Sequence, residues 1–183
     1  MITSTDAWWY PILIEGLGAI GILAAIIAFQ CKKHRGVMFW RTMNETFFGI
    51  QFLLLGAYTG LAMNFVGCIR NILFAINVEK GKSNRPWIVA FCLLFTAFGI
   101  ATWQGPKSIL VISAKIISTN AYGNKNLLLV RSCILVTATS WLIYDLLVGS
   151  VSGAICEAFT LTSLVVGIVR CDLLPRFKKK GDA

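Results

Sequence analysis

Long apolar windows recur along this chain, and they restrict its fold more than any other feature. A helix needs about 20 mainly apolar residues to cross a hydrocarbon core of about 30 Å. Short polar connections separate seven such windows, so we predict an all-α integral membrane protein with seven transmembrane helices. The predicted spans cover residues 8 to 30, 37 to 57, 58 to 78, 86 to 104, 107 to 123, 127 to 148 and 150 to 170.

The amino-acid composition also predicts a membrane environment. Of the 183 residues, 57% are hydrophobic and 14% are charged, and the mean hydropathy is +0.74. A soluble domain of this size has far less apolar surface, so we expect the lipid bilayer as the main partner. The net charge of +9 could suggest nucleic acid, but apolar runs separate the basic residues and leave no phosphate-facing patch. We therefore expect no nucleic-acid partner.

Lysine and arginine alternate between the two sides of the predicted bundle. Of the 17, 14 fall in or next to the first, third and fifth connections and the C-terminal tail, with Arg41, Arg131 and Arg170 near the ends of the adjoining spans counted among them. The opposite side has Lys107, while Arg70 and Lys115 fall inside spans. Because cytoplasmic loops accumulate Lys and Arg, this pattern predicts an outside N-terminus and a cytoplasmic C-terminus.

The sequence also contains an internal repeat. The turn GAYTG at residues 56–60 is similar to GSVSG at residues 149–153, which is 93 positions later. With that offset, six of the fifteen positions from Thr46 to Gly60 are identical to their counterparts. The same offset superposes predicted spans 1 to 3 on spans 5 to 7, so we predict two like-oriented three-helix units joined by one helix.

Four regions follow from this repeat. They are a first three-helix repeat at 1–78, a linker helix 4 at 79–106, a second three-helix repeat at 107–170 and a basic cytoplasmic tail at 171–183. Parallel repeats related by an axis along the membrane normal occur in secondary transporters.

Two stretches carry a family resemblance. LLLGAYTGLAMNFVGCIRNIL and SWLIYDLLVGSVSGAICEAFTLTSLVVGIVR resemble the YgjV-like family of bacterial inner-membrane proteins, over nearly the whole chain. The resemblance implies an inner-membrane location and carries no established activity. More distantly, the architecture is similar to SWEET and PQ-loop transporters, in which matching polar residues on the third and seventh helices line a central pocket. Those positions are Asn64 and Glu157 in this chain. Because the Pro-Gln dipeptide of PQ-loop proteins is absent, the resemblance does not imply a sugar as the substrate.

Polar residues fall on one face of span 3 and on the matching face of span 7. At helical spacing these faces contain Gly60, Asn64, Gly67 and Asn71, and then Gly153, Glu157 and Thr160. A charge in lipid at the depth of Glu157 costs on the order of 3 kcal/mol or more, so we predict that the two faces border a central cavity. Arg70, Lys115 or an added proton could neutralise Glu157 there.

Apart from the basic residues counted near span ends, six ionisable residues lie in predicted spans, with a net formal charge of −2: Glu15, Glu45, Arg70, Lys115, Asp145 and Glu157. A cavity with that excess favours a cationic or polar solute. Trp141 and Asp145, spaced i and i+4, could add an aromatic wall and a polar contact. The candidate substrate-binding residues are therefore Asn64, Glu157, Asn71, Arg70, Trp141, Asp145 and Lys115.

For several of these residues, a structural role without substrate binding stays open as an alternative. Glu15 and Asp145 lie near helix ends, where interfacial solvation is sufficient explanation. Arg70 and Lys115 could form internal salt bridges only, and Asn71 could tie helices together by hydrogen bonds.

Transport of a small polar solute by alternating access of the two units is the function that this pattern favours. A membrane receptor or assembly protein of the same fold is the alternative, and a closed bundle with internally paired charges would favour it. We do not expect an enzyme, a cofactor or a metal, because the chain has one histidine and no metal-ligand spacing among its six cysteines. A homo-oligomer is left open.

Overall fold

A computed structural model describes residues 8–31, 34–121 and 127–169. Within these ranges the chain forms seven α-helices and no strands, as the apolar windows predict. The helices are α1 (Trp9–Gln30), α2 (His34–Leu54), α3 (Tyr58–Glu79), α4 (Arg85–Ala101), α5 (Lys107–Ala121), α6 (Leu127–Val148) and α7 (Val151–Ile168).

Glycine turns end α2 and α6 in the same way. Gly56 has a φ of 67° and Gly149 a φ of 78°, the left-handed region that only glycine adopts without strain. In each turn the amide that follows the glycine donates a hydrogen bond to a carbonyl five residues earlier: Ala57 to Phe52 at 2.8 Å, and Ser150 to Asp145 at 2.9 Å. The first turn separates α2 from α3, which the sequence prediction had left contiguous.

Each three-helix group packs in chain order. α2 lies between α1 and α3, and α6 lies between α5 and α7, while α4 contacts α3 and α5. Contacts between α1 and α7, and between α3 and α5, close the two groups into one bundle. We call α1–α3 the first triplet and α5–α7 the second triplet.

The outer surface of the bundle is apolar. Large side chains such as Leu93, Leu146 and Ile155 are more than half exposed, which suits contact with lipid and not with water. Within the described residues, the segments Trp9–Ala28 and Tyr58–Glu79 are long and apolar enough to cross a membrane, and three shorter helical segments are also apolar. The described part of the chain is thus all-helical, with two clear membrane-spanning candidates.

Candidate functional site

A cavity of about 440 Å³ lies between the two triplets. Every helix except α4 contributes residues to its lining. Of the seven residues that the sequence singled out, six line this cavity: Asn64, Arg70, Lys115, Trp141, Asp145 and Glu157. Asn71 instead lies behind Arg70, where its Oδ1 accepts hydrogen bonds from the Arg70 Nε at 3.2 Å and Nη2 at 3.0 Å.

A cluster of three charges joins α2, α3 and α5 at the cavity wall. Glu45 Oε1 accepts from Arg70 Nη2 at 3.2 Å and from Lys115 Nζ at 3.0 Å, and all three side chains are buried. Arg70 Nη1 also donates to Thr119 Oγ1 at 2.9 Å. We call Glu45, Arg70 and Lys115 the ion cluster; it connects the first triplet to the second.

Gly67 on α3 leaves the space in which the ion cluster forms. A Cβ at this position would overlap Glu45 Oε2 and would lie 2.8 Å from Lys115 Nζ. The Lys115 ammonium also lies 5.4 Å from the centroid of the Trp141 ring, a distance at which a cation is attracted to an aromatic face. Gly67 therefore allows the side chains of Glu45 and Lys115 to approach α3 closely.

The ion cluster decides between two alternatives for Arg70. The sequence leaves open whether Arg70 balances Glu157 or forms an internal salt bridge, and in the structure it forms a salt bridge with Glu45, which is not among the candidate site residues. The signal that would have found it is helical spacing, because Arg41, Glu45, Phe48 and Phe52 fall on one face of α2 and all line the cavity.

A second group of charges is acidic. Asp145 on α6 is 2% exposed and lines the cavity, and its Oδ1 has no hydrogen-bond partner within the described chain. Glu157 on α7 lines the same cavity and is near enough to interact electrostatically with Asp145. We call Asp145 and Glu157 the acid pair. Asn64 reaches the cavity from the equivalent position of α3.

The expected net charge of −2 is wrong for the described lining. Glu15 does not line the cavity, whereas Arg41 does, because α2 begins at His34 and includes Arg41 in its second turn. The charged lining residues are three cationic and three acidic: Arg41, Arg70, Lys115, Glu45, Asp145 and Glu157. The lining is formally neutral, and Arg41 and Lys115 lie near enough to Glu157 to interact with it electrostatically.

Hydrogen bonds close the bundle where α7 begins. Gln51 Nε2 donates to Ser152 Oγ at 2.7 Å, and Ser150 Oγ donates to Gln51 Oε1 at 3.0 Å. The amides of Val151 and Ser152 donate to the Glu15 carboxylate at 3.3 and 2.8 Å. An anion at a helix N-terminus is favourable, so Glu15 caps α7 in addition to any interfacial solvation.

The beginning of α3 is held by an equivalent arrangement. The Gly60 amide donates to Tyr144 Oη at 2.9 Å, and the Thr59 and Ser108 hydroxyl oxygens are 3.0 Å apart. Tyr144 lies 93 positions after Gln51, and Ser108 lies 93 positions after Glu15. Residues at repeat-equivalent positions, although their side chains differ, thus form hydrogen bonds at the first turns of α3 and α7.

Aromatic rings fill the space between these two sets of hydrogen bonds. Phe52 stacks on Trp141 with centroids 5.9 Å apart, and its centroid is 5.6 Å from that of Tyr144 in an edge-on arrangement. We call this end of the bundle, where α3 and α7 begin, the sealed end. By the distribution of Lys and Arg it is predicted to face the outside.

Comparison with known proteins gives the class of this chain. The profile of the Imp-YgjV family, described as bacterial inner membrane protein, matches residues 12–174. The chain belongs to this family, and its location is the bacterial inner membrane. It is 25% identical over 176 residues to inner membrane protein YgjV of Escherichia coli strain K12, covering 96% of this chain and 90% of that relative. No solved structure matches the chain significantly.

Proposed function

We propose that this protein is a carrier for a small polar solute and that its two triplets rock against each other around the central cavity. The observation that carries the proposal is a cavity of about 440 Å³ lined by charged and polar side chains from both triplets. This volume lies within the range of small-molecule sites, about 300–1,000 Å³. Residues this costly to bury in a membrane usually belong to a substrate or ion pathway.

The architecture we propose has seven spans in a three, one, three arrangement, with the N-terminus outside and the C-terminus in the cytoplasm, as in SWEET-like carriers. Support comes from contacts that correspond under the 93-residue offset. The glycine turns at Gly56 and Gly149 correspond, and exchanging the triplets converts the α1–α7 contact into the α5–α3 contact. Like-oriented repeats around a shared midplane site are the framework of alternating access.

The sealed end has the properties required of a gate. Its contacts are mainly hydrogen bonds between neutral groups, such as Gln51 to Ser152 and Gly60 to Tyr144. Each such bond has a net worth of about 1 kcal/mol, because water replaces it when it opens. Rocking of the triplets could therefore open this end at modest cost while the ion cluster keeps α2, α3 and α5 together.

Uptake into proteoliposomes tests the carrier proposal. Wild-type protein is incubated with a mixed panel of amino acids, amines, sugars and organic acids, and the internal contents are measured by mass spectrometry against protein-free liposomes. We expect at least one solute to accumulate, and Glu157→Gln and Asn64→Ala to reduce its uptake. Glu79→Gln is the matched control because Glu79 is exposed and lies outside the cavity lining.

The two failures of this experiment have different meanings. If no solute accumulates above the protein-free level, the carrier proposal is refuted, and the receptor or assembly protein becomes the better account. Internal pairing of Arg70 and Lys115 with Glu45 is the observation that favours that account. If uptake occurs and both variants match wild type, the carrier stands and the site is wrong.

A further inference from the structure

The two triplets meet along two seams that correspond under the 93-residue offset. We call the contact of α1 with α7 the first seam and the contact of α3 with α5 the second seam. Glu15 accepts a hydrogen bond from the Ser152 amide across the first seam. The corresponding residues, Ser108 and Thr59, have their hydroxyl groups in contact across the second seam. Each seam thus has a polar contact at the sealed end.

The second seam is also bonded deep inside the bundle. At 1.5 Å per helical residue, Arg70 and Thr119 both lie about 18 Å from the sealed-end termini of α3 and α5. Arg70 Nη1 donates to Thr119 Oγ1 at 2.9 Å, and both side chains are buried. Separating α3 from α5 would also pull Lys115 away from Glu45, and removing one partner from a buried ion cluster is strongly destabilising.

The connection between α4 and α5 stabilises the second seam further. Gln104 Nε2 donates to the Gly56 carbonyl at 2.8 Å, and the Thr59 amide donates to Gln104 Oε1 at 3.3 Å. The residue that corresponds to Gln104 in the first repeat is Pro11, whose side chain has no hydrogen-bonding group. The linker helix α4 also packs on both α3 and α5. The second seam is therefore held by a linker and a side-chain bridge that the repeat does not supply to the first seam.

Within the described residues, the first seam has hydrogen bonds at the sealed end only. The amides of Val151 and Ser152, in the first turn of α7, donate to the Glu15 carboxylate at 3.3 and 2.8 Å. Glu15 is half-buried and Val151 is exposed, so these bonds can exchange with water. Farther along the two helices, Ala25 of α1 and Ser163 of α7 both line the cavity. The cavity thus borders the deeper part of the first seam, whereas buried side chains bond the deeper part of the second.

We propose that the two triplets part along the first seam, with Glu15 as its latch, and pivot on the second seam. This inference rests on the proposed function, because it gives the direction in which the triplets of the carrier rock. Parting α1 from α7 at the sealed end breaks the two bonds of Glu15 and leaves every contact of the ion cluster in place. Glu15 is then a positioning residue that keeps the outer side of the cavity closed.

Spin labels at repeat-equivalent positions test this proposal without requiring transport. Gly16 and Val151 flank the first seam, and all four labelled positions are exposed. Their counterparts at the second seam are Ile109 and Tyr58. Each pair is changed to cysteine in a full-length chain whose native cysteines are replaced by serine, and the labelled protein is placed in lipid nanodiscs. Electron paramagnetic resonance then measures the two interspin distances with no solute added.

Removing the latch should lengthen the distance across the first seam only. In Glu15→Ala we expect the ratio of a longer to the shorter distance to rise about tenfold or more for the first pair, because two hydrogen bonds to a charged group are lost. The second pair should keep one narrow distance. Ser108→Ala is the matched control at the corresponding position, and it should lengthen neither distance. Circular dichroism and gel filtration report folding, and if Glu15→Ala does not fold, Glu15→Gln carries the test with a smaller rise.

The proposal is overturned if the second pair lengthens as much as the first, if Ser108→Ala acts like Glu15→Ala, or if the Glu15 variants leave both distances unchanged. Its failure is separable from failure of the carrier. Uptake of a solute by a protein whose first seam does not lengthen refutes only the direction of opening, whereas lengthening of the first seam without uptake of any solute refutes only transport.

Discussion

The sealed end and the cavity hold the same two triplets together by opposite means. At the sealed end the contacts are mostly hydrogen bonds between neutral groups, with Gln51 and Tyr144 at repeat-equivalent positions. In the cavity wall the contact is a buried ion cluster, in which Glu45 accepts hydrogen bonds from both Arg70 and Lys115. Neutral hydrogen bonds exchange with water at small net cost, whereas removing one partner of a buried ion cluster is expensive. If the protein is the carrier proposed above, the contacts of the sealed end would open and those of the ion cluster would persist.

Removing Glu45 should have the largest effect. Glu45→Ala leaves Arg70 and Lys115 buried without their shared carboxylate, and we expect a loss of about 3–5 kcal/mol in the free energy of unfolding. The matched control is Glu79→Ala, because the Arg35–Glu79 pair at 3.5 Å is exposed, with side chains 82% and 48% accessible. An exposed pair is worth about 0–1 kcal/mol.

SDS-induced unfolding in mixed micelles, followed by circular dichroism, compares these two variants. Equal losses for Glu45→Ala and Glu79→Ala would show that the ion cluster is not the persistent contact.

Filling the space beside the ion cluster should have an intermediate effect. In Gly67→Ala the new methyl group meets Glu45 Oε2 and Lys115 Nζ, so we expect a loss of about 1–3 kcal/mol in the same unfolding assay. Gly16→Ala on α1 is the control, since a Cβ there meets no atom within 4 Å. Because alanine is the better helix former by about 1 kcal/mol, Gly16→Ala should be neutral or stabilising. A harmless Gly67→Ala would mean that α3 and the ion cluster have room to separate.

Loosening the sealed end should have the smallest effect on stability. Tyr144→Phe removes the acceptor of the Gly60 amide, and we expect a loss of about 1–2 kcal/mol. Tyr58→Phe is the control because Tyr58 is exposed, and it should unfold like wild type. If Tyr144→Phe cost as much as Glu45→Ala, the sealed end would be a rigid structural element and not a gate.

The helices and several of the residues that face the cavity could be predicted from the sequence. Hydropathy located the seven helices, with ends that differ from the observed ones by no more than three residues. Helical spacing on spans 3 and 7 placed Asn64 and Glu157, and both border the cavity. These features depend on the hydrophobic periodicity within each helix, which can be read from a single sequence.

The ion-pair partners of the charged residues could not be predicted from this periodicity. Glu45, Arg70 and Lys115 come from three helices far apart in sequence, so their pairing depends on how those helices pack. Arg41 lies in predicted span 2 but is counted with the first connection, because an excess of Lys and Arg near helix ends does not distinguish a loop from the first turns of a helix. Asn71 was expected to reach the solute, yet the side chain that it contacts is the neighbouring Arg70.

Cysteine labelling at the cavity wall tests the central claim most directly, which is that one cavity lies between the triplets and is closed at the sealed end. Thr160 lines the cavity and is half-buried, so Thr160→Cys is introduced into a chain whose native cysteines are replaced by serine. A membrane-impermeant thiosulfonate is then applied to intact spheroplasts and to inverted membrane vesicles. We predict labelling in inverted vesicles, little in spheroplasts, and increased labelling in spheroplasts when Tyr144→Phe and Gln51→Ala are added. Equal labelling from both sides without those two changes, or none from either side, would contradict the account.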